Sequence, residues 1–381
     1  MTRIALVTGP DPGHALVVLG LARALRARGH DTLVATGTQH EALVESERHE
    51  FVELPLLAPT ADDGDFGHRL WRRAGQMAPP LVELLTPWRP DLVVMDTLTT
   101  VGGFAAELLG VPCVEVSPHH CTDPDPLVPP IGLGAPVART PERRRWDAGI
   151  RAAQARDVAA GARLRDEVRR DLGLGAGRPP ALRLLQTLPG LEPRRMTWPA
   201  STHVVGQLAI DPPLPALVPP PGDGPLVVVT DSTATDLPTP LGRLAVDALA
   251  GTEVRLVVTG SVEGVVPDGV VVGRGPHEPL LDRAAVAIGP GGGGFTAKAL
   301  SRGVPMVVVP LAGDQRETAG RVAHSRAGVW VDPSAATPAT LRAAVHRLLV
   351  DGTHRAAARR LAAGARGLGR DHAARLVESL R

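Results

Sequence analysis

The segment from Ala284 to Leu300 constrains the fold of this chain more than any other. It runs as a short apolar stretch to Ile288-Gly289, then Pro290, four consecutive glycines (Gly291, Gly292, Gly293, Gly294), then Phe295-Thr296-Ala297-Lys298-Ala299-Leu300, and the pattern stops at Gly303. That order predicts a strand, a tight loop and a helix. A loop without β-carbons turns sharply and lets its N–H groups approach an anion, and the following helix N-terminus adds a favourable dipole. This is the architecture of a phosphate site. A glycine run also serves packing alone, so the rest of the chain has to decide.

Elsewhere the chain repeats the same alternation. Arg3-Ile4-Ala5-Leu6-Val7 reads as a strand, Thr8 to His14 as a loop, and Val18, Leu21, Ala22 and Leu25 recur at helical spacing up to Gly29, a C′ glycine, before the strand Leu33-Val34-Ala35. A βαβ opening implies a parallel, doubly wound sheet whose ligands sit beyond the strand C-termini. His14 falls at such a place. The unit recurs with the strand Pro90 to Asp96, a Gly102-Gly103 loop, a helix through Leu109 and the strand Pro112 to Val116, which closes in Ser117-Pro118-His119-His120.

From Pro141 to about Leu172 the spacing of Ile150, Leu164, Val168 and Leu172 predicts helices with a solvated arginine face, Arg143-Arg144-Arg145 included. Strands follow at Leu182 to Leu185 and His203 to Val205. Between Asp211 and Pro225 proline dominates and periodicity vanishes, which marks a stiff linker. Beyond it the βα pattern restarts with strands at Leu226 to Val229, Val254 to Val258, Val270 to Val272 and Met306 to Val309. Asp314-Gln315 opens a helix, Thr337-Pro338 caps another, and the last helices include His372 to Leu380. The expected organisation is a Rossmann-like domain over residues 1–210, a linker over 211–225, a second Rossmann-like domain over 226–365 and a C-terminal helix over 366–381.

The length of 381 residues suits two domains of roughly 150 to 200 residues each. Hydrophobic residues at 44% and charged residues at 21% are those of a soluble globular protein. Lys and Arg number 41 against 40 Asp and Glu, so no global field favours nucleic acid or an anionic membrane, and an anion must be held locally. With no tyrosine and 2% aromatics, stacking platforms for single-stranded nucleic acid are not expected. An acceptor pocket of aliphatic, proline and histidine residues is expected for the same reason. Cys113 and Cys121 have neither CxxC nor zinc-type spacing and read as free thiols in a reducing compartment. No protein-bound metal is expected. The N-terminus lacks a signal-peptide pattern and no apolar run reaches 18 residues, so the expectation is a soluble cytoplasmic protein without a membrane partner.

Two βαβ halves, a proline linker, Gly13-His14 after the first strand, the block from Gly291 to Pro310 and the Asp314-Gln315 pair together resemble the GT-B fold glycosyltransferases. The likeness is strongest to the bacterial natural-product branch, which decorates macrolides, enediynes and other aromatic or polyketide aglycones, and it covers nearly the whole chain. It implies two Rossmann-like α/β domains facing across a cleft. The first binds a small-molecule acceptor, the second a nucleotide-diphosphate sugar as co-substrate with no other cofactor, and the last helix crosses back to the first domain. A homodimer is compatible with this reading.

By that resemblance His14 is the general base and the transfer inverts configuration. Asp96 is the first choice for the carboxylate that orients His14, with Glu115, Asp123 and Asp125 as alternatives. His119 and His120 are candidates for the acceptor pocket with Gly13. On the donor side the resemblance points to the four glycines and to Asp314 and Gln315 on the sugar. It also shows departures. Pro290 stands where the family has a histidine for the diphosphate, and Phe295, with Thr296 beside it, where the family has a hydroxyl. Lys298 replaces a ribose-binding glutamate, Arg274 with His277 replaces a base-stacking tryptophan segment, and Thr230-Asp231-Ser232-Thr233 replaces a Ser/Gly phosphate loop, leaving Ser232 and Thr233 as its hydroxyls. Lys298 and Arg274 are candidate cations for the diphosphate. A non-catalytic homologue acting as an auxiliary partner, and an enzyme with another donor or epimerase chemistry, remain as alternatives.

Overall fold

The computed structural model describes residues 1–58, 66–231 and 241–380. The first half forms a seven-stranded parallel sheet from β1 (Arg3–Val7), β2 (Asp31–Thr36), β3 (Glu50–Glu53), β4 (Leu92–Asp96), β5 (Cys113–Ser117), β6 (Leu182–Leu185) and β7 (Thr202–Val204), in the order β3-β2-β1-β4-β5-β6-β7. Its helices are α1 (Pro12–Ala27), α2 (Glu41–Ser46), α3 (Arg73–Leu85), α4 (Val101–Leu109) and the 31-residue α5 (Pro141–Asp171). The apolar run of β1 is buried from Ile4 to Val7 because helices cover both faces of a parallel sheet.

The second half repeats the plan with six parallel strands. These are β8 (Leu226–Thr230), β9 (Arg255–Thr259), β10 (Val270–Gly273), β11 (Val286–Gly289), β12 (Met306–Val308) and β13 (Gly328–Trp330), in the order β10-β9-β8-β11-β12-β13. Its helices are α6 (Leu241–Leu249), α7 (Glu278–Leu281), α8 (Gly293–Ser301), α9 (Gln315–His324), α10 (Pro338–Val350) and α11 (Gly352–Gly364). Both sheets reverse winding beside their first strand, between β1 and β4 and between β8 and β11, the two crevices where doubly wound folds bind ligands.

The last helix, α12 (Arg370–Glu378), puts Ala373, Ala374 and Val377 into the apolar cluster under α1 with Leu21 and Leu25. Arg28 adds ion pairs to Asp371 and Glu378 at 2.8 and 2.7 Å. No regular element occurs between β7 and β8, across the proline-rich stretch. Among the described residues no helix is long and apolar enough to cross a membrane.

Local signals translate into caps as the chemistry requires. Asp11 accepts from Gly13 N at 2.6 Å with Pro12 at the start of α1, Gly29 takes φ +86° just beyond its end, and Thr337 forms a capping box with Thr340 at α10. The arginine run on α5 divides: Arg144 and Arg145 are exposed, while Arg143 pairs with the buried Asp147 at 2.7 Å and lies over Trp146. Three elements escape a reading of periodicity. The edge strand β3 begins and ends with Glu50 and Glu53, β13 is three residues long, and α3 carries Pro79 and Pro80 inside it, residues that ordinarily end a helix.

Candidate active site

His14 stands in the first turn of α1, and Asp96 ends β4, the strand paired to β1 in the register Val7 to Met95. The adjacency of β1 and β4 therefore brings together two residues 82 positions apart: His14 Nδ1 lies 2.5 Å from Asp96 Oδ1. The carboxylate is held on its other side, where Oδ2 accepts from Thr99 Oγ1 at 2.9 Å and Leu98 N at 3.3 Å. Asp96 is 1% exposed and His14 8%. Burial pulls the imidazole pKa down, but the Asp96 hydrogen bond and charge, helped by Asp11 and Asp314, outweigh it and leave His14 above its ordinary 6.5. With the Nδ1 proton donated to Asp96, Nε2 is the basic atom.

The other carboxylates considered for that role are engaged elsewhere. Glu115 accepts from Thr97 Oγ1 at 3.0 Å and faces Arg183 at 3.5 Å, and Asp123 pairs with Arg183 at 2.5 Å. Asp125 accepts from the backbone of Leu127, Met196 and Thr197.

Beside the dyad opens a cavity of about 1520 Å³. Its floor is the face of β4, β5 and β6 that carries Met95, Glu115, Ser117 and Arg183, and α5 reaches it through Arg165 and Arg169. Leu70, Leu98, Val111, Pro112, Pro180 and Leu185 line it, joined by the aromatic rings of Phe66, Trp71 and Phe104. His119 and His120 line it too. His120 is buried, with Glu192 at 2.9 Å from its Nδ1, and belongs to the contact between the two halves. Burial pushes Glu192 up, but His120 and Arg321 pull it down to about 2. His119 Nδ1 reaches across to Asp314 Oδ2 at 2.6 Å.

In the second half, the glycine loop joins β11 to α8. Gly291 takes φ +99°, a conformation for glycine, and Gly292 caps α8 without any side-chain bond to its first N–H groups. Gly293 has no room for a β-carbon because the Pro118 carbonyl of the first half lies against it, and Gly294 faces Ala209. The strand, loop and helix therefore meet the first half at the helix N-terminus.

The flanking side chains depart from the expected donor roles. Lys298 does not reach the loop: its Nζ contacts Asp211 Oδ1 and the Ile210 carbonyl oxygen, and the side chain is 4% exposed. A helix periodicity of 3.6 turns it away from Gly293 onto the linker. Phe295 is buried against Gly289 and meets His277 edge-on at 5.0 Å, and the Thr296 hydroxyl is buried without a hydrogen-bond partner among the described residues. His277 bonds Thr259 Oγ1 at 2.9 Å, and burial, with Lys298 adding to it, lowers its pKa to about 4. Arg274 is exposed. Ser232 and Thr233 lie outside the described residues. Gln315 turns its Oε1 to Leu311 N and Ala312 N at 2.8 and 3.0 Å, which shapes the loop before α9. Asp211 was not anticipated as a site residue, and its place in the linker gave no signal.

Comparisons with known proteins agree on the two-domain fold. Residues 244–373 match the erythromycin biosynthesis protein CIII-like, C-terminal domain. The chain is 28% identical over 400 residues to 4'-demethylrebeccamycin synthase of Lentzea aerocolonigenes, covering 94% of each. The crystal structure of the glycotransferase of kitacinnamycin superposes with a TM-score of 0.79 at 26% identity, covering 99% of this chain and 98% of that one. The Streptomyces sp. SF2575 glycosyltransferase SsfS6, complexed with thymidine diphosphate, superposes with a TM-score of 0.70 at 25% identity, covering 100% of both. Together these likenesses support a natural-product glycosyltransferase of GT-B fold, similar to enzymes of antibiotic biosynthesis.

Proposed function

We propose that the protein is an inverting transferase that moves a sugar from a nucleoside-diphosphate donor to a hydroxyl of a small natural-product acceptor. The observation that carries this reading is the His14–Asp96 pair, an imidazole fixed at Nδ1 by a buried carboxylate at the mouth of the first sheet. The acceptor occupies the cavity over β4 to β6. His14 Nε2 takes its hydroxyl proton, the oxygen attacks the anomeric carbon, and the bond from that carbon to the diphosphate oxygen breaks on the opposite side. The products are the inverted glycoside and the nucleoside diphosphate. Asp96 stabilises the imidazolium without taking its proton.

The leaving diphosphate carries developing negative charge, which the uncapped N–H groups at the start of α8 and the helix dipole are suited to meet. Asp314, at the start of α9, accepts from sugar hydroxyls, and the amide N–H groups of Gln315 remain for the same sugar. The thymidine diphosphate bound by SsfS6 favours a thymidine-type donor. Residues 1–210 and 226–365 are read as the acceptor and donor domains. Replacing His14 by alanine should reduce turnover at least 1000-fold while thymidine diphosphate binding stays near wild type. Activity within tenfold of wild type would overturn the assignment of the base.

A further inference from the structure

The loop that closes β5 does more than border the cavity. Pro118 presses its carbonyl on Gly293, His120 reaches Thr318 of α9 at 3.4 Å, and His119 reaches Asp314, 195 positions away, at 2.6 Å. Other contacts between the halves are buried supports: Glu317 accepts from Gly132 N and Gly134 N, and Arg321 pairs with Glu192 at 2.7 Å with both side chains 4% exposed. The His119–Asp314 pair differs from these. Its side chains are 26% and 38% exposed, and the His119 ring stands 5.0 Å from the ring of the base His14. Two imidazoles, each with Nδ1 on a carboxylate, thus face one cleft, one from the acceptor side alone and one bridging the sides.

Asp314 precedes α9 yet makes no side-chain cap bond to it, so its own helix does not fix the carboxylate. A carboxylate anchored through one oxygen presents the other in one direction. A free one has to be ordered by the ligand, at the ligand's cost in affinity.

We propose that His119 is a positioning residue for the donor sugar: from the acceptor side of the cleft, it holds Asp314 through Oδ2 so that Oδ1 is aimed at a sugar hydroxyl beside His14. The proposal rests on reading Asp314 as a sugar ligand. The sugar subsite is then shared between the two sheets and is complete only when the β5 loop lies against α8 and α9, whereas the nucleoside diphosphate is bound by the second half. Sugar recognition and base placement are thereby tied to one loop.

Calorimetric titration of the full chain with thymidine diphosphate and with thymidine diphosphate glucose separates the sugar's contribution from the rest. His119→Ala should weaken thymidine diphosphate glucose by up to about tenfold, the cost of ordering one freed side chain on binding, and leave thymidine diphosphate unchanged. His119→Asn, whose amide N–H stands where Nδ1–H stood, should recover most of that loss. Asp314→Asn should weaken the sugar nucleotide as well, and adding His119→Ala to it should cost nothing more. Loss of the sugar effect in Asp314→Asn but not in His119→Ala overturns the proposal and leaves the reading of Asp314 intact. Equal weakening of both ligands by His119→Ala overturns it in favour of a support between the halves. No effect from either variant, or a wild-type protein that binds neither ligand, overturns the reading of the donor site and the proposal with it.

Discussion

Lys298 Nζ lies on Asp211 Oδ1, with the Ile210 carbonyl oxygen 3.0 Å away, so the helix that follows the four glycines is ion-paired to the segment joining the two sheets. Asp211 also accepts from Glu278 N at 2.7 Å, and Glu278 in turn pairs with Arg302 and Arg370 at 2.8 and 2.7 Å. A lysine that looked like a rewritten nucleotide contact is a fastener between linker, α8 and the entry to α12.

Replacing Lys298 by methionine leaves a mostly buried carboxylate without its cation, which should cost about 2–4 kcal/mol in urea unfolding at pH 7. In the wild type, burial raises the Asp211 pKa, but Lys298 outweighs it and the carboxyl stays below 3.8. Without the ammonium the folded-state pKa rises above the unfolded one, so protonation relieves the penalty and the deficit should shrink as pH falls toward 5. A deficit below about 0.5 kcal/mol, or one indifferent to pH, would show that the pair is not structural.

His14 is the base only when neutral, and its pKa is raised above 6.5, so kcat/KM should fall on the acid side of a limb lying above that value. Asp96→Asn removes the charge that raises the imidazole while burial continues to lower it. The limb should therefore move to lower pH even as kcat drops by about 10³–10⁴ through loss of the correct tautomer. A limb that stays in place in Asp96→Asn, followed by pH-rate profiles, would assign the titration to another group.

Gly293→Ala should damage the enzyme more than Gly292→Ala, although both lie in the same glycine run. A methyl at Gly293 meets the Pro118 carbonyl, and both partners are backbone, one in the first turn of α8 and one just past β5. The halves must separate to admit it, which should lower kcat/KM by about 10–100-fold and depress thermal stability by about 1–3 kcal/mol. A β-carbon at Gly292 meets nothing within 4 Å and its φ is −60°, so stability there should hold within about 0.5 kcal/mol. Equal stability of the two variants would mean that the β5 loop and α8 are not in contact in solution.

The sheet plan was legible because parallel strands buried on both faces must be continuous apolar runs, and β1, β4, β8 and β11 read that way without help. So were Asp11 at α1 and Thr337 at α10, since a cap needs only the residues next to it. The edge strand β3 and the proline-bearing α3 were not legible, because neighbours in space override a weak or contrary local pattern. In the site, the strand-end rule singled out His14, Asp96, His119 and the glycines, and the dyad then followed once β1 and β4 were adjacent. The partners of Lys298, His119 and Glu115 had no counterpart in spacing, since they lie in the linker, across the cleft and on the next strand beyond a long helical crossover.

The chain by itself determined two doubly wound halves, the proline stretch between them, a histidine and a carboxylate at strand ends of the first half and an anion-suited helix start in the second. These follow from periodicity, capping and the backbone freedom of glycine, all of which act within a few residues. Only the tertiary structure decided which carboxylate holds His14, that Lys298 turns to Asp211 and that His119 takes Asp314. A charged side chain chooses its partner by distance in space and by what burial leaves unpaired, and neither quantity is written in the order of the residues.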